Sequence, residues 1–189
     1  MADSMPLKSE AIAVLTTGGT IDKVYFDASS QFEIGDSVVA ELLREAHVDC
    51  EFALQEVMRK DSLDLDDADR ASICAAVRAR AERCVVITHG TDTLAMTAEA
   101  LTAEATNADK RSDDALAGEA TGALAEKTVV LTGALSPARF AKSDATFNVG
   151  MAFAAAQTLP PGIYIVMSGQ VFASGHVRKD KQNNVFVRC

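Results

Sequence analysis

The sequence predicts a doubly wound α/β fold, a mainly parallel sheet with helices on both faces. Apolar runs such as Ala11–Leu15 and Val85–Ile87 read as buried strands. Segments with helical patterns alternate with strand-like runs through most of the chain. Two of the runs end in small residues, threonines and a carboxylate: Thr16-Thr17-Gly18-Gly19-Thr20-Ile21-Asp22 and Thr88-His89-Gly90-Thr91-Asp92-Thr93-Leu94. Open parallel sheets bind ligands beyond the carboxyl ends of their strands, so the two segments point to one shared, active site.

The elements follow in order. After the first strand, Lys23–Ile34 holds the turn signal Asp27-Ala28-Ser29-Ser30 between two short extended runs, which predicts a hairpin or flap. Asp36 is placed to cap a helix over Ser37–Ala46. A strand is expected at Glu51–Met58. An acidic helix start follows at Asp64–Asp67, with the helix reaching about Arg83; acids suit the positive end of a helix. The strand Cys84–Thr88 leads to a helix from near Asp92. Ala103–Ala125 is rich in Ala, Asp, Glu, Thr and Gly, with little apolar periodicity, and reads as a surface insertion, partly helical or disordered, outside the core. Order resumes with the strand Thr128–Thr132, a helix from about Asp144 to Gln157, and a last buried strand, Ile163–Met167. Gly169–Val187 alternates weakly around Ser174-Gly175 and Asn183-Asn184, which predicts a terminal β-hairpin on a sheet edge. The whole pattern is Rossmann/flavodoxin-like.

Composition narrows the function. The 189 residues suffice for one domain with a sizeable core, and 48% apolar with 24% charged residues excludes a disordered chain. No apolar run approaches the ~20 residues of a membrane span, and no export signal is read in the acidic N-terminus, so a cytoplasmic protein away from membranes is expected. A net charge of -9 argues against a nucleic-acid partner, because phosphate binding needs a basic surface. Cys50, Cys74, Cys84 and Cys189 are widely spaced, and His47, His89 and His176 do not cluster with them, so neither disulfides nor zinc are expected. Cys74 and Cys84 read as small core residues.

Chemistry centres on hydroxyls. A threonine is a weak nucleophile until a neighbour takes its proton. Thr20 follows a Gly-Gly turn that lets the backbone approach a ligand. Thr91 adjoins Asp92, and Lys179 lies in the terminal hairpin. A neutral lysine beside a hydroxyl accepts its proton, and a carboxylate orients the lysine. Spacing leaves open whether Lys179 reaches Thr91, or whether these threonines cap helices beside a solvated lysine.

Thr17-Gly18-Gly19-Thr20-Ile21 and His89-Gly90-Thr91-Asp92-Thr93-Leu94 resemble the two signature motifs of the bacterial-type L-asparaginase family. Further likenesses follow in order: Asp61-Ser62-Leu63-Asp64-Leu65 to the substrate-carboxylate loop, Val129–Leu135 with Pro137 to the strand and loop after the second motif, and Ser143–Asn148 to the helix start beyond it. The resemblance spans about Ile12 to Lys179. It implies Thr20 as the acylated nucleophile and Thr91, Asp92 and Lys179 as a second triad activating a hydroxyl or water. It also implies Tyr25 on the flap as an assistant to Thr20, Ser62 as the α-carboxylate ligand, and Asp92 as a contact for the α-amino group. Gly19, Asp61, Leu63 and Gly90 complete the implied substrate site, with backbone amides near Gly90 and Thr91 for the oxyanion.

Family members of ordinary length carry a second, smaller domain after the catalytic lysine, so the resemblance implies a short, single-domain form without it. The expected reaction converts L-asparagine to L-aspartate and ammonia, with no cofactor or metal and with homo-oligomers covering the site. The alternatives are a hydrolase of glutamine or a D-amino-acid amide, and a catalytically weak binding or assembly module of the same fold.

Overall fold

A computed structural model of the protein describes residues 11–27, 30–112 and 124–189. The apolar runs become strands buried along their whole length: β1 (Ile12–Gly18), β5 (Cys84–Thr88) and β6 (Thr128–Thr132). With β4 (Phe52–Lys60) and β7 (Gly162–Met167) they form a parallel sheet, which an antiparallel strand, β8 (Gln170–Ala173), closes at one edge. The strand order is β4-β1-β5-β6-β7-β8. The chain winds outward in both directions from β1 and β5, so these neighbours flank the switch point of the sheet.

Burial on both faces follows from alternation within each strand. Leu15, Ile87, Leu131 and Ile165 face one core with Ile73, Val77, Leu94 and Leu101 from α2 (Asp67–Ala79) and α3 (Leu94–Ser112). Val14, Val86, Val130 and Val166 face the other, with Val39, Leu43, Val149 and Phe153 from α1 (Val39–Glu45) and α4 (Ala145–Thr158). Each fully buried side chain of this kind is worth about 1.5–3 kcal/mol. Cys74 and Cys84 are buried within these cores.

The flap forms as expected, β2 (Lys23–Phe26) pairing antiparallel with β3 (Gln31–Ile34). Its turn at Ala28 and Ser29 lies outside the described residues. Helix α2 starts on a capping box: the Asp66 side chain accepts from the Asp69 amide at 2.8 Å, and Asp69 returns the bond to the Asp66 amide at 3.1 Å. It ends at Ala79, short of Arg83. There buried Lys127 donates to the carbonyls of Arg80 (2.6 Å) and Glu82 (2.8 Å), holding the segment after the helix.

Three expectations need correction. Asp36 does not cap α1; it is exposed and ion-pairs with Arg59. The amide of Val38, at the head of α1, instead donates at 2.9 Å to Asp22, a carboxylate from the first motif that is 1% exposed. The stretch read as an insertion belongs to the fold at both ends: α3 runs unbroken to Ser112, Ala105 packs against the core, and Leu124 is buried in it. Alanine-rich periodicity conceals a helix whose apolar stripe is narrow. Residues 113–123 lie outside the described residues. Finally, the expected terminal β-hairpin forms, but it starts at Val177 and not at Gly169, and it does not lie on the sheet edge. β8 takes the edge, while β9 (Val177–Asp180) and β10 (Val185–Arg188) make a separate two-stranded sheet whose Val177 and Phe186 enter the core.

Burial raises the Asp22 carboxyl above the ordinary carboxylate range, against the opposing Val38 and Ser37 hydrogen bonds. The acceptor matters here more than the charge. Asp22→Ala should therefore cost about 1–2 kcal/mol in urea unfolding at pH 7, and Asp22→Asn clearly less. Equal losses would show that α1 does not depend on this oxygen.

Candidate active site

Beyond β1 and β5 the two motif loops touch backbone to backbone. Gly19 has φ +87°, and a Cβ built on it would lie 2.4 Å from the Gly90 Cα and N. A Cβ on Gly90 would lie 2.5 Å from the Ser62 Oγ. Only residues without side chains permit this stack, so the glycines hold Thr20, Ser62 and Thr91 in three adjoining loops. Side chains stitch them together. Thr17 Oγ1 donates to the Thr88 carbonyl (2.9 Å), Thr93 Oγ1 to the Ser62 carbonyl (2.7 Å), and the Gly19 amide to the Lys60 carbonyl (3.1 Å).

Lys179 reaches Thr91 across 88 residues of sequence. Its Nζ donates to Thr91 Oγ1 at 2.7 Å and to Asp92 Oδ1 at 2.8 Å. Strand periodicity explains the reach: Val177 and Lys179 share a face of β9, and Val177 anchors that face in the core. The lysine side chain is only 10% exposed, so it requires a charge partner, which Asp92 supplies. Asp92 is 32% exposed.

Thr20 opens a short 3-10 turn (Thr20–Asp22) and is half-buried; its hydroxyl makes no hydrogen bond among the described residues. Ser62 is 1% exposed, and its Oγ also lacks a partner among those residues. An unpaired buried hydroxyl is costly unless something binds it. Asp61 caps the turn Ser62–Asp64 through the Leu63 amide (3.2 Å) and pairs with Lys23 at 2.7 Å. Burial pushes its carboxyl up, but Lys23 and the Leu63 amide outweigh this and hold it below the ordinary range. Leu63 is 64% exposed. Tyr25 is not brought to Thr20 by any hydrogen bond; it is half-exposed on the flap, its ring edge-on to Phe32 at 5.4 Å.

Other residues of the motifs, to which the sequence assigns no role, support the loops. His89 is fully buried between the Gly90 carbonyl (2.7 Å from Nδ1) and Thr97 Oγ1 (2.9 Å from Nε2). A carbonyl only accepts, so Nδ1 carries the proton and Nε2 accepts from the threonine. Burial pushes this imidazole down to about 4, so it is neutral at pH 7. Asn148 donates to the Gly133 carbonyl (3.0 Å) and Asp144 (2.8 Å) and accepts from the Ser168 amide (3.0 Å). Asp144 in turn accepts from the Leu135 and Ser136 amides, so the start of α4 fixes the loop after β6. Among the described residues no His, Cys, Asp and Glu cluster could hold a metal ion, and no helix is long and apolar enough to cross a membrane.

Residues 11–111 and 115–186 match the family described as asparaginase, N-terminal. No curated protein sequence matches the chain. Among solved structures, the thermostable L-asparaginase from Thermococcus kodakarensis superposes with a TM-score of 0.71 at 25% identity, over 94% of this chain and 51% of that one. L-asparaginase I from Vibrio cholerae gives 0.74 at 23% identity, over 95% and 51%. The probable cytoplasmic L-asparaginase from Campylobacter jejuni gives 0.70 at 21%, again over 95% and 51%. The chain thus spans about half the length of these structures.

The buried imidazole sets a pH dependence. Its folded value, about 4, lies below the ordinary 6.5, so between these values the unfolded chain binds more protons. Stability is fully present above pH 6.5 and falls as pH drops toward 4, by about 3 kcal/mol from this group. Urea unfolding from pH 7 to 4.5 should show a shallower decline for His89→Gln than for the native chain. Parallel declines would contradict a buried neutral histidine.

Proposed function

The chain belongs to the asparaginase family, and from that premise we propose that it is an amidohydrolase releasing ammonia from L-asparagine through a threonyl ester. The observation that supports this most is Lys179 Nζ between Thr91 Oγ1 and Asp92 Oδ1, in the loop whose Gly90 abuts Gly19 beside Thr20.

In the proposed reaction the Thr20 hydroxyl attacks the side-chain amide carbon. A C–O bond forms, the carbonyl becomes an oxyanion, and backbone amides near Gly90 and Thr91 stabilise it, a term typically worth ~3 kcal/mol. The resting ammonium of Lys179 must first give a proton to solvent; Lys179 then accepts the Thr91 proton while the Thr91 oxygen takes the proton of the attacking group. Asp92 keeps the lysine in place. The proton passes to the amide nitrogen, the C–N bond breaks, and ammonia leaves. Water then attacks the ester by the same route, returning Thr20 and releasing L-aspartate. Ser62 Oγ, buried without a partner among the described residues, is assigned to the substrate α-carboxylate. The Asp92 carboxylate is assigned to the α-amino group. Tyr25 reaches Thr20 only if the flap moves, a step this reading requires for its assisting role.

Ammonia release from L-asparagine, L-glutamine and their D-isomers tests the reading, with L-asparagine the preferred substrate. Thr20→Val, Thr91→Val and Lys179→Met should each lower kcat by about 10³-fold or more, with the Thr20→Val/Thr91→Val double variant little worse than either single one. Ser62→Ala should mainly raise KM, because it removes a contact made before the chemistry. Near-normal kcat in folded Thr20→Val would rule out the threonyl ester.

A further inference from the structure

One charged pair at the site is not used by this chemistry. Lys23 Nζ lies 2.7 Å from Asp61 Oδ2, with the side chains 28% and 27% exposed. Lys23 closes the turn that carries Thr20, its amide donating to the Thr20 carbonyl. Asp61 opens the turn that carries Ser62, its side chain accepting from the Leu63 amide and its carbonyl from the Asp64 amide at 3.0 Å. One ion pair therefore joins the two turns across the Gly19–Gly90–Ser62 stack.

We infer that Lys23 is a positioning residue: its bond to Asp61 fixes the Thr20 hydroxyl relative to the Ser62 hydroxyl, so that a substrate held by its carboxylate presents its amide carbon to Thr20. The inference rests on the proposed roles of Thr20 and Ser62.

The surroundings favour positioning over stability. The Gly19 amide already ties the first loop to the Lys60 carbonyl, which sets the separation of β1 and β4. Buried Ile21 and Asp22 anchor the first turn on its inner side, and buried Ser62, whose carbonyl accepts from Thr93, anchors the second. On the solvent side, beside exposed Leu63 and half-exposed Tyr25, the Lys23–Asp61 pair is a side-chain bond that spans the two turns. Neighbouring cations cannot substitute. Lys60 is held by Asp69 at 2.8 Å, and Arg59 pairs with Glu56 and Asp36. A pair this exposed adds little to folding, so its effect should fall on geometry. Reacting groups misplaced by about 1 Å lose on the order of 100-fold in rate.

The test is ammonia release from L-asparagine by Lys23→Met, Lys23→Arg, Asp61→Asn and Lys23→Met/Asp61→Asn, with thermal unfolding of each. Lys23→Met should lower kcat about 10- to 100-fold while KM moves less than about threefold, the reverse of Ser62→Ala. Lys23→Arg should recover most of the rate, and the double variant should be no worse than Lys23→Met, since both remove the same bond. A folded Lys23→Met with kcat within about twofold of the native chain, or an arginine variant no better than methionine, overturns the inference. If the native chain releases no ammonia, the proposed function fails on its own, and hydrogen exchange decides the positioning claim. Lys23→Met should then speed exchange at residues 20–22 and 62–64, and Lys23→Arg should restore it; unchanged protection overturns the claim.

Discussion

The contact between Gly19 and Gly90 is the constraint on which the rest of the site depends. Strands β1 and β5 end side by side, and their chains then diverge to opposite faces of the sheet. Their loops normally would hold each other apart by side-chain width. Here a Cβ on either glycine would overlap its neighbour, so the loops close to backbone contact and Ser62 closes on the far side. A methyl group at Gly90 would displace the Ser62 side chain, and one at Gly19 would collide with backbone that cannot yield. The threonines that follow the two glycines are thereby held in adjoining loops.

Around that contact the polar groups fall into two kinds. Some are fully engaged and hold the loops: His89 between Gly90 and Thr97, Asn148 between Gly133 and Ser168, Asp144 on the amides after β6. Their neutral or fully bonded states suit a rigid scaffold, because a half-satisfied buried network would be costly. Others lack partners among the described residues, notably Ser62 Oγ and Thr20 Oγ1. The proposed chemistry uses the second kind and relies on the first to keep them in register, with paired Lys179 and Asp92 between the two.

Much of this was legible in the chain itself. Unalternating apolar runs give buried parallel strands, and the strand-end motifs mark the switch point, because both signals are local in sequence. The approach of Lys179 to Thr91 could be named only through the resemblance, since it depends on β9 folding back across 88 residues. The cap of α1 is hidden in the sequence for a similar reason: Asp36 has the right position in the chain, but Asp22 is brought there by the first motif's turn. Alanine hid the length of α3, as its small side chains give little periodicity even where Leu101 and Ala105 pack inward. The Lys23–Asp61 pair had no signal at all, because ion pairs between loops leave no pattern in a single sequence.

The central claim is that Thr20 and the Thr91–Asp92–Lys179 set act as one site on the two sides of the Gly19–Gly90 contact. Acid-quenching a turnover mixture with L-asparagine and mapping the modified peptide by mass spectrometry tests this directly. An aspartyl ester on Thr20 of the native chain is expected, and its loss in Thr91→Val and Lys179→Met, which lack the relay that forms it. An ester found on Thr91, with Thr20 unmodified, would contradict it.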